Sequence, residues 1–398
     1  PVAPPPKATD KIILDRIERS PATVSTSIGS TSLRYAYLSQ RGYYPDALDK
    51  PNQDCFLVCR NFMRDPARAV FAVFDGHGRE GDLCAQFCRD MLVEKMGHHL
   101  KGRETEKEIR AGLTRTFLEL NDLLHSCPGI DDTLSGTTAI AVVFIKNKMF
   151  VCNVGDSRAI LAQRPRAPEP APAPPDATAV TAPNGAAVTG RNGAELRVFP
   201  LSEDQTPYRR DERERVKRCG ARVLSMDQMA GFEPLHEKWG DVRLGEAIDE
   251  AGDPPRVWSK YGEYPGTAFT RSLGDSIAEE LGVYAVPEIT VRKISPRDQY
   301  VMVASDGVYE FLTNKQCIQT LHEHSDPLAA TQALARKAFD LWLSYEIRSD
   351  DITLICLFMD HVGAGKKEGE GAGEEGEEEE EDPAWSLKTV RPLRSPRG

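Results

Sequence analysis

The chain has 398 residues, of which 40% are hydrophobic and 28% are charged, a composition typical of a globular protein. No apolar run approaches the roughly 20 residues that a membrane-spanning helix needs, so we expect no membrane segment and no membrane partner. The net charge is −11, but of the 61 acidic residues ten lie between Glu368 and Asp382, and the remaining 51 almost balance the 50 basic ones, which argues against a nucleic-acid-binding protein.

The nine cysteines include no CxxC pair, which argues against a disulfide framework and against a structural zinc site. Residues 1–6 show no charged segment followed by an apolar one, so we expect no secretory signal. These features favour a reducing compartment, the cytoplasm or the nucleus. Because the first residue is not Met, the sequence is compatible with one piece of a larger multidomain protein.

Composition divides the chain into three parts. Residues 1–31 are rich in Pro, Ser and Thr and predict a flexible lead-in, residues 32–360 carry the patterned domain, and residues 361–398 predict an acidic, disordered tail. Within the domain, residues 164–193 are mostly Ala, Pro, Thr and Gly. Such a segment buries too little surface to offset its ordering entropy, which predicts a disordered insertion inside an enlarged hairpin.

The elements alternate irregularly along the domain. Short apolar runs rich in Val and Ile predict strands at 55–58, 69–74, 138–144, 149–154, 159–161, 196–199, 300–304 and 352–358. Apolar stripes at helical spacing predict helices at 83–92 and 109–124, and a further helix at 327–343. Because the strands come in clusters, the pattern favours an α+β fold over a doubly wound sheet.

Two of the apolar runs end in the dipeptide Asp-Gly: Asp75-Gly76 closes one and Asp306-Gly307 closes the other. A carboxylate at the end of a buried strand keeps its charge only if it is hydrated, hydrogen-bonded or bound to a metal. The two junctions therefore indicate a shared acidic centre. The alternative is a pair of ordinary turns, since Asp-Gly is a common turn dipeptide.

Further carboxylates lie at strand ends and turns. Asp54 precedes a strand, Asp156 lies in a turn between two apolar runs, and Asp350 and Asp351 begin the last strand. Each alone is more often a turn or a cap than a ligand. Together, with few histidines among them, they favour hard ions such as Mg²⁺ or Mn²⁺ over zinc.

A metal-free cluster of this kind would repel itself and destabilise the fold. With two divalent ions about 4 Å apart, it becomes suited to in-line phosphoryl displacement by an activated water. His77, two residues beyond Asp75, is placed to donate a proton to a leaving alkoxide. The alternative for His77 is a solvated turn residue between two glycines.

At this point the motifs resemble those of a known family, the metal-dependent protein phosphatases of type 2C (the PPM family). The matching stretches, in chain order, are NQD (52–54), VFDGHG (73–78), SGTTA (135–139), NVGDSRA (153–159), SEDQTP (202–207), TRSLGD (270–275), VASDGVYEFL (303–312) and SDDIT (349–353). The resemblance implies two mainly antiparallel sheets packed as a central sandwich and flanked by helices in four layers. It also implies a phosphatase acting on phosphoserine and phosphothreonine without a covalent intermediate.

The resemblance implies roles for five residues in holding two Mg²⁺ or Mn²⁺ ions. Asp75 would bridge both metals, and the carbonyl group of Gly76 would bind one of them. Asp306 and Asp350 would complete the shell of one metal, while Asp54 would act mainly through metal-bound water.

Other roles implied by the resemblance concern the surroundings of the metals. His77 matches the general acid, and Asp156 matches a ligand of a weaker third metal. Residues 208–266 fall where the family carries a variable flap beside the active site. The charged run 211–218 inside that flap predicts a solvated helix rather than a substrate clamp.

The sequence departs from the family pattern at three positions. Gln53 stands where many members have Glu, which removes a charge, and Glu310 stands where many have Asp, on a longer arm. The position of a phosphate-binding arginine in animal members is occupied here by Asp49. The nearest candidate for that role is Arg41, across a longer loop.

We therefore predict a protein phosphatase that acts on phosphorylated proteins and has a monomeric catalytic domain. A first alternative is a catalytically weak or inactive phosphatase fold that serves as a scaffold or interaction module, which the intact set of carboxylates disfavours. A second is a metal-dependent nuclease, which should show a basic groove that the nearly neutral domain lacks.

Overall fold

The structure is a computed structural model that describes residues 17–165, 186–189, 195–236, 239, 244–248 and 252–361. Its strands in chain order are β1 (Ile17–Arg19), β2 (Val24–Ile28), β3 (Thr31–Gln40), β4 (Asp54–Arg60), β5 (Arg68–His77), β6 (Gly136–Thr137), β7 (Ala139–Ile145), β8 (Lys148–Val154), β9 (Arg158–Gln163), β10 (Ala186–Thr189), β11 (Glu195–Pro200), β12 (Arg222–Leu224), β13 (Arg256–Trp258), β14 (Pro265–Thr267), β15 (Leu273–Gly274), β16 (Glu288–Lys293), β17 (Asp298–Ala304) and β18 (Ile352–His361). Its helices are α1 (Gly81–Leu100), α2 (Glu106–His125), α3 (Arg210–Arg218), α4 (Met226–Ala230), α5 (Ser276–Glu279), α6 (Asp306–Tyr309), α7 (Asn314–His322) and α8 (Pro327–Tyr345).

Two large antiparallel sheets form the centre of the fold. In the described part of the chain, the first sheet has the order β1-β3-β18-β17-β9-β11-β10, with β2 on the same edge of β3 as β1. The second sheet has the order β15-β6-β5-β7-β8-β16, and β4 pairs with the edge of β5 that faces away from β6 and β7. A small third sheet, β12-β13-β14, lies in the predicted flap.

The sheets pack face to face because both faces of their central strands are apolar. In β5, Phe71 and Val73 belong to the core between the sheets, whereas Phe74 belongs to the core beneath the helices. In β18, Ile355 and Leu357 face the other sheet. This alternation is the two-residue period of a strand that is buried on both sides.

Helices cover the outer face of each sheet. α1 and α2 pack on the second sheet, where Leu92 and Phe117 are fully buried, and α7 and α8 pack on the first. α2 begins at a capping box formed by Thr105 and Glu108, and α8 begins at Asp326, whose side chain accepts from the Ala329 amide. The predicted α+β sandwich flanked by helices is therefore confirmed.

Two predicted boundaries need correction. The lead-in 1–31 was expected to precede the domain, but β1 and β2 pair with β3 and Ile28 is buried. The insertion 164–193 does lie within a hairpin of β9 and β11, yet β10 adds a strand to that hairpin and buries Val188. A short apolar stretch can pair with an exposed sheet edge even when its surroundings are polar, and composition averaged over 30 residues hides it. Residues 1–16, 166–185 and the predicted tail from 362 onward lie outside the described residues.

The helix predicted at 211–218 exists as α3, but its description as solvated holds only for its outer face, where Asp211, Glu214 and Arg218 are exposed. Glu212 is 2% exposed and Val216 is fully buried. The charged composition of α3 concealed an ion-paired inner face, because paired charges can be buried where lone ones cannot.

None of the helices in the described ranges combines the length and apolar character that crossing a membrane requires.

Candidate active site

The period of β4 and β5 places two carboxylates at one end of the sandwich. Asp54 and Asp75 are direct cross-strand partners in the antiparallel ladder. Val73 faces the core between the sheets, and Phe56 packs against the same core. Asp75 lies two residues after Val73, and Asp54 lies two residues before Phe56 on the antiparallel strand. Both carboxylates therefore face the same side as those residues, at the end of the apolar core.

The surroundings of Asp54 leave part of its carboxylate without a partner. Its Oδ2 accepts a hydrogen bond of 2.7 Å from the Ser305 hydroxyl. Its Oδ1 is buried and has no hydrogen-bond partner among the described residues. Burial and the nearby Asp351 raise the pKa of Asp54 to about 8. A buried oxygen of this kind is costly unless a cation binds it.

Asp75 and Asp306 lie in the same electrostatic environment. Burial raises the pKa of Asp75 well above its usual value, and the charges of Asp306, Asp54 and Asp350 raise it further. Burial, together with Asp350 and Asp156, does the same for Asp306, the first residue of α6. The carboxylates that the sequence singled out are therefore brought together, and no basic side chain is among the principal influences on these two.

Asp350 and Asp351 are adjacent in sequence but differ in their surroundings. Asp350 Oδ1 accepts a hydrogen bond of 2.5 Å from the Tyr44 hydroxyl. Asp351 is buried and accepts backbone hydrogen bonds from Gly42 at 2.6 Å and from Gln53 at 2.8 Å. Asp351 thus holds the two loops that border the site, a role that the sequence reasoning missed because adjacent carboxylates look alike in a motif.

Gln53 links the NQD and DGHG motifs. Its side-chain amide donates to the carbonyl oxygen of Gly78 at 2.7 Å, and its own carbonyl oxygen accepts from the Gly76 amide at 3.0 Å. A Cβ at Gly76 would lie 2.6 Å from the Gln53 carbonyl oxygen, so only glycine allows this approach. The amide that replaces the family's Glu therefore has a bonding role of its own here.

His77 is held on two sides. Its Nε2 lies 2.6 Å from Asp275 Oδ2, and its ring packs against Phe269 with centroids 4.4 Å apart. Asp275 was not among the predicted site residues. The available signal was its place at the end of the TRSLGD motif.

Asp156 lies beside a buried ion pair. Arg158 donates to both oxygens of Asp204, at 2.9 and 2.6 Å, and to Asn314 Oδ1 at 2.9 Å. Burial and the charge of Asp204 raise the pKa of Asp156 to about 6. Asp156 contributes to the repulsion around Asp306, which is consistent with a place at the margin of the cluster.

Two other predicted residues, Arg41 and Glu310, differ in their surroundings. The Arg41 guanidinium donates to the Ala47 carbonyl oxygen at 3.3 Å, and Glu310 is exposed and contributes to the repulsion at Asp306. A different cation, the Lys50 ammonium, lies 4.0 Å from the centre of the Tyr44 ring. Lys50 therefore stands beside the tyrosine that donates to the metal-ligand candidate Asp350.

A second acidic group in the described residues consists of Asp211, Glu212 and Glu288. Here each carboxylate faces a guanidinium: Arg209 binds Asp211 and Glu288, and Arg271 binds Glu212 and Glu288. Ion pairing, not a metal, neutralises this group. The contrast supports a cation site at the cluster of Asp54, Asp75, Asp306 and Asp350.

The two-sheet core with its outer helices has counterparts among solved structures. A serine-threonine phosphatase 2C from Toxoplasma gondii superposes with a TM-score of 0.59 at 18% identity, covering 86% of this chain and 100% of that one. A sex determining protein from C. elegans superposes with a TM-score of 0.56 at 16% identity, covering 86% and 66%. At these identities, the likeness concerns the fold.

Sequence comparison identifies the family. A probable protein phosphatase 2C 35 from Arabidopsis thaliana is 42% identical over 325 residues, 81% of this chain and 83% of that protein. A probable protein phosphatase 2C 48 from Oryza sativa subsp. japonica is 28% identical over 326 residues, 77% and 80% of the two chains. The family model of protein phosphatase 2C matches residues 46–345, so the chain belongs to the protein phosphatase 2C family. It is a metal-dependent protein serine/threonine phosphatase that acts on phosphoproteins.

Proposed function

We propose that this phosphatase uses two divalent ions, Mg²⁺ or Mn²⁺, held at the end of the sandwich by Asp54, Asp75, Asp306 and Asp350. The observation that carries the proposal is the buried Oδ1 of Asp54, which has no hydrogen-bond partner among the described residues. It lies in a cluster whose pKa values are raised by burial and mutual repulsion. Divalent cations would remove both penalties, and carboxylate oxygens are the ligands that these ions prefer.

Two further ligands complete the proposed site. The Gly76 carbonyl group follows Asp75 directly and would bind one of the ions. Asp156, at the margin of the cluster, would hold a third and weaker ion. Its marginal position supports weaker binding, because Arg158 also acts on Asp156 and offsets part of the repulsion from Asp204.

When bound, the ions would supply charge neutralisation at the phosphoryl oxygens and activation of a water for attack on phosphorus. The Ser305 hydroxyl is buried and already donates to Asp54, which supports water rather than this side chain as the nucleophile. His77 would donate a proton to the oxygen of the leaving serine or threonine.

Substrate and cellular context follow from the same reasoning. Arg41 remains our candidate for contacting the substrate phosphate. We expect the catalytic domain to act as a monomer in the cytoplasm or nucleus, and the nine unpaired cysteines support a reducing compartment.

The test is phosphate release from a phosphothreonine peptide with Mn²⁺, with Mg²⁺ and with EDTA, for the wild type and Asp306→Asn. We expect activity only with metal and a loss of more than about 100-fold in the variant. Loss of groups that merely support a ligand already costs roughly 10- to 100-fold.

A matched control is Asp340→Asn, which removes an exposed carboxylate from α8, where it pairs only with Arg336 on the same helix. It should retain activity within about twofold. Metal-independent activity in the wild type, or equal losses in the two variants, would contradict the proposed metal centre.

A further inference from the structure

Asp275 adopts a backbone conformation that non-glycine residues rarely take. Its φ is 54° and its ψ is 49°, in the left-handed region, and the residue is 2% exposed. Such a conformation is unfavourable for a residue with a side chain and persists where the surroundings enforce it. The contacts of the Asp275 side chain are therefore of interest.

The Asp275 carboxylate does not cap α5, although its position before that helix predicts that it would. Asp275 immediately precedes α5, where an aspartate commonly accepts a hydrogen bond from the first helical amides. Its side chain makes no such bond. Instead, Oδ2 lies 2.6 Å from Nε2 of His77.

The surrounding loops are built to hold this carboxylate in place. The Asp275 amide donates to the Ser135 carbonyl oxygen at 2.9 Å, and the Gly274 amide donates to Asn121 Oδ1 at 2.9 Å. A Cβ at Gly136 would collide with the Asp275 carboxylate, so glycine is required there.

A second set of contacts fixes the far side of the loop. His125 bridges Asp132 at 2.5 Å and Glu279 at 2.9 Å, and Asp132 accepts a backbone bond from Ser276 at 3.1 Å. These hydrogen bonds hold the loop in place, and the Asp275 carboxylate contacts His77 from that loop.

We propose that Asp275 is a positioning residue for His77, an inference that rests on the proposed function. Asp275 accepts the Nε2–H of His77 while the Phe269 ring restrains the imidazole plane. This leaves Nδ1 as the nitrogen that carries the transferable proton. As the phosphorus–oxygen bond breaks, its electron pair goes to the leaving oxygen, which takes the Nδ1 proton, and the neutral ring keeps its Nε2 proton on Asp275.

The experiment compares two substrates with different leaving groups. The leaving group of a phosphothreonine peptide is an alkoxide, which needs a proton. The leaving group of p-nitrophenyl phosphate is a stable phenolate, which does not. For Asp275→Asn we expect kcat on the peptide to fall about 10- to 100-fold with little change in KM. On p-nitrophenyl phosphate the loss should stay within about threefold. Asparagine also tolerates the left-handed conformation, so the loop should be preserved.

Three further variants make the test decisive. In a His77→Gln background, Asp275→Asn should have no additional effect on the peptide, because both act through one group. Glu279→Gln loosens the loop without touching His77 and should change both substrates by the same factor. Asp275→Gly keeps the positive φ without the carboxylate and should reproduce the selective loss.

The tautomer of the His77 ring can be measured without any turnover of substrate. The ¹⁵N shifts of the His77 ring in metal-free protein should report the Nε2–H tautomer in the wild type and a mixture in Asp275→Asn. Equal losses on both substrates, multiplicative effects in the double variant, or an unchanged tautomer would overturn the proposal. If His77→Gln itself shows no selectivity for the peptide, the role proposed for His77 fails instead, and the tautomer data still decide whether Asp275 positions the ring.

Discussion

The buried carboxylate of Asp54 opposes the stability of the metal-free protein and is suited to binding a cation. The residue is 6% exposed, one carboxylate oxygen has a hydroxyl partner, and the other has none among the described residues. In metal-free protein the ionised form is therefore disfavoured, as its raised pKa indicates. In the proposed metal site, binding of a divalent cation would convert this penalty into affinity.

Asp54→Asn should consequently make the metal-free protein more stable and the metal-loaded protein relatively less stable. With EDTA we expect a gain on the order of 1 kcal/mol in the free energy of unfolding, because a buried charge is removed. With Mn²⁺ at about 100 times its dissociation constant, the wild type alone should gain about 2.7 kcal/mol.

Urea unfolding at pH 8 with EDTA and with Mn²⁺ measures both effects, with Asp340→Asn as the control for loss of an exposed carboxylate. A variant that is less stable than the wild type in EDTA would show that Asp54 is not a source of repulsion.

At the scale of elements, α3 shows how a charged helix becomes part of the fold. Burial alone would raise the pKa of Glu212, but hydrogen bonds from Arg271 and Arg215 outweigh it and lower the pKa to about 2. The Thr270 hydroxyl donates to the same carboxylate at 2.7 Å. α3 is thereby tied to the segment that leads to Asp275.

Glu212→Gln should lower the free energy of unfolding by roughly 3 kcal/mol at pH 7, because it removes the charge that pairs with the half-buried Arg215 and leaves the buried Arg271 with only the longer contact to Glu288. Since the folded pKa of about 2 is below the usual value of 4.5, the stabilisation is present above pH 4.5 and is lost as the pH falls toward 2.

Urea unfolding at pH 7, 5 and 3 should therefore show a wild-type advantage that shrinks to less than half at pH 3. Glu214→Gln, on the same helix but paired with exposed Arg210, should show little difference at any pH. An advantage that is independent of pH would mean that packing, not the ion pair, holds α3.

At the scale of the whole molecule, the N-terminal strands extend the first sheet beyond the predicted domain. β1 and β2 cover successive parts of one edge of β3, and Ser20 and Tyr37 exchange hydrogen bonds of 3.1 and 2.9 Å. An uncovered strand edge is a template for aggregation. These strands therefore complete the sandwich.

A chain that begins at Thr31 should be less stable than one that begins at Ile17 by at least about 2 kcal/mol, the contribution of one buried side chain such as Ile28. It should also aggregate more readily on heating. Thermal unfolding and light scattering of the two chains measure this, and equal stability would show that the domain starts where composition placed it.

The sequence by itself determined the family and the class of fold, and it predicted the carboxylates of the proposed metal site. Strand period and apolar runs are local properties, and the motifs NQD, DGHG and SDG are short enough to be read directly. These motifs predicted Asp54, Asp75 and Asp306 as site residues from the sequence alone.

Only the tertiary structure decided which partners those residues have. Asp275 meets His77 across 198 positions, and Asp351 meets Gln53 across 298. Whether Glu212 is solvated or ion-paired depends on Arg271, far along the chain. Hydrogen bonds and desolvation depend on the three-dimensional neighbours of a group, and a one-dimensional pattern contains no information about contacts that only packing creates.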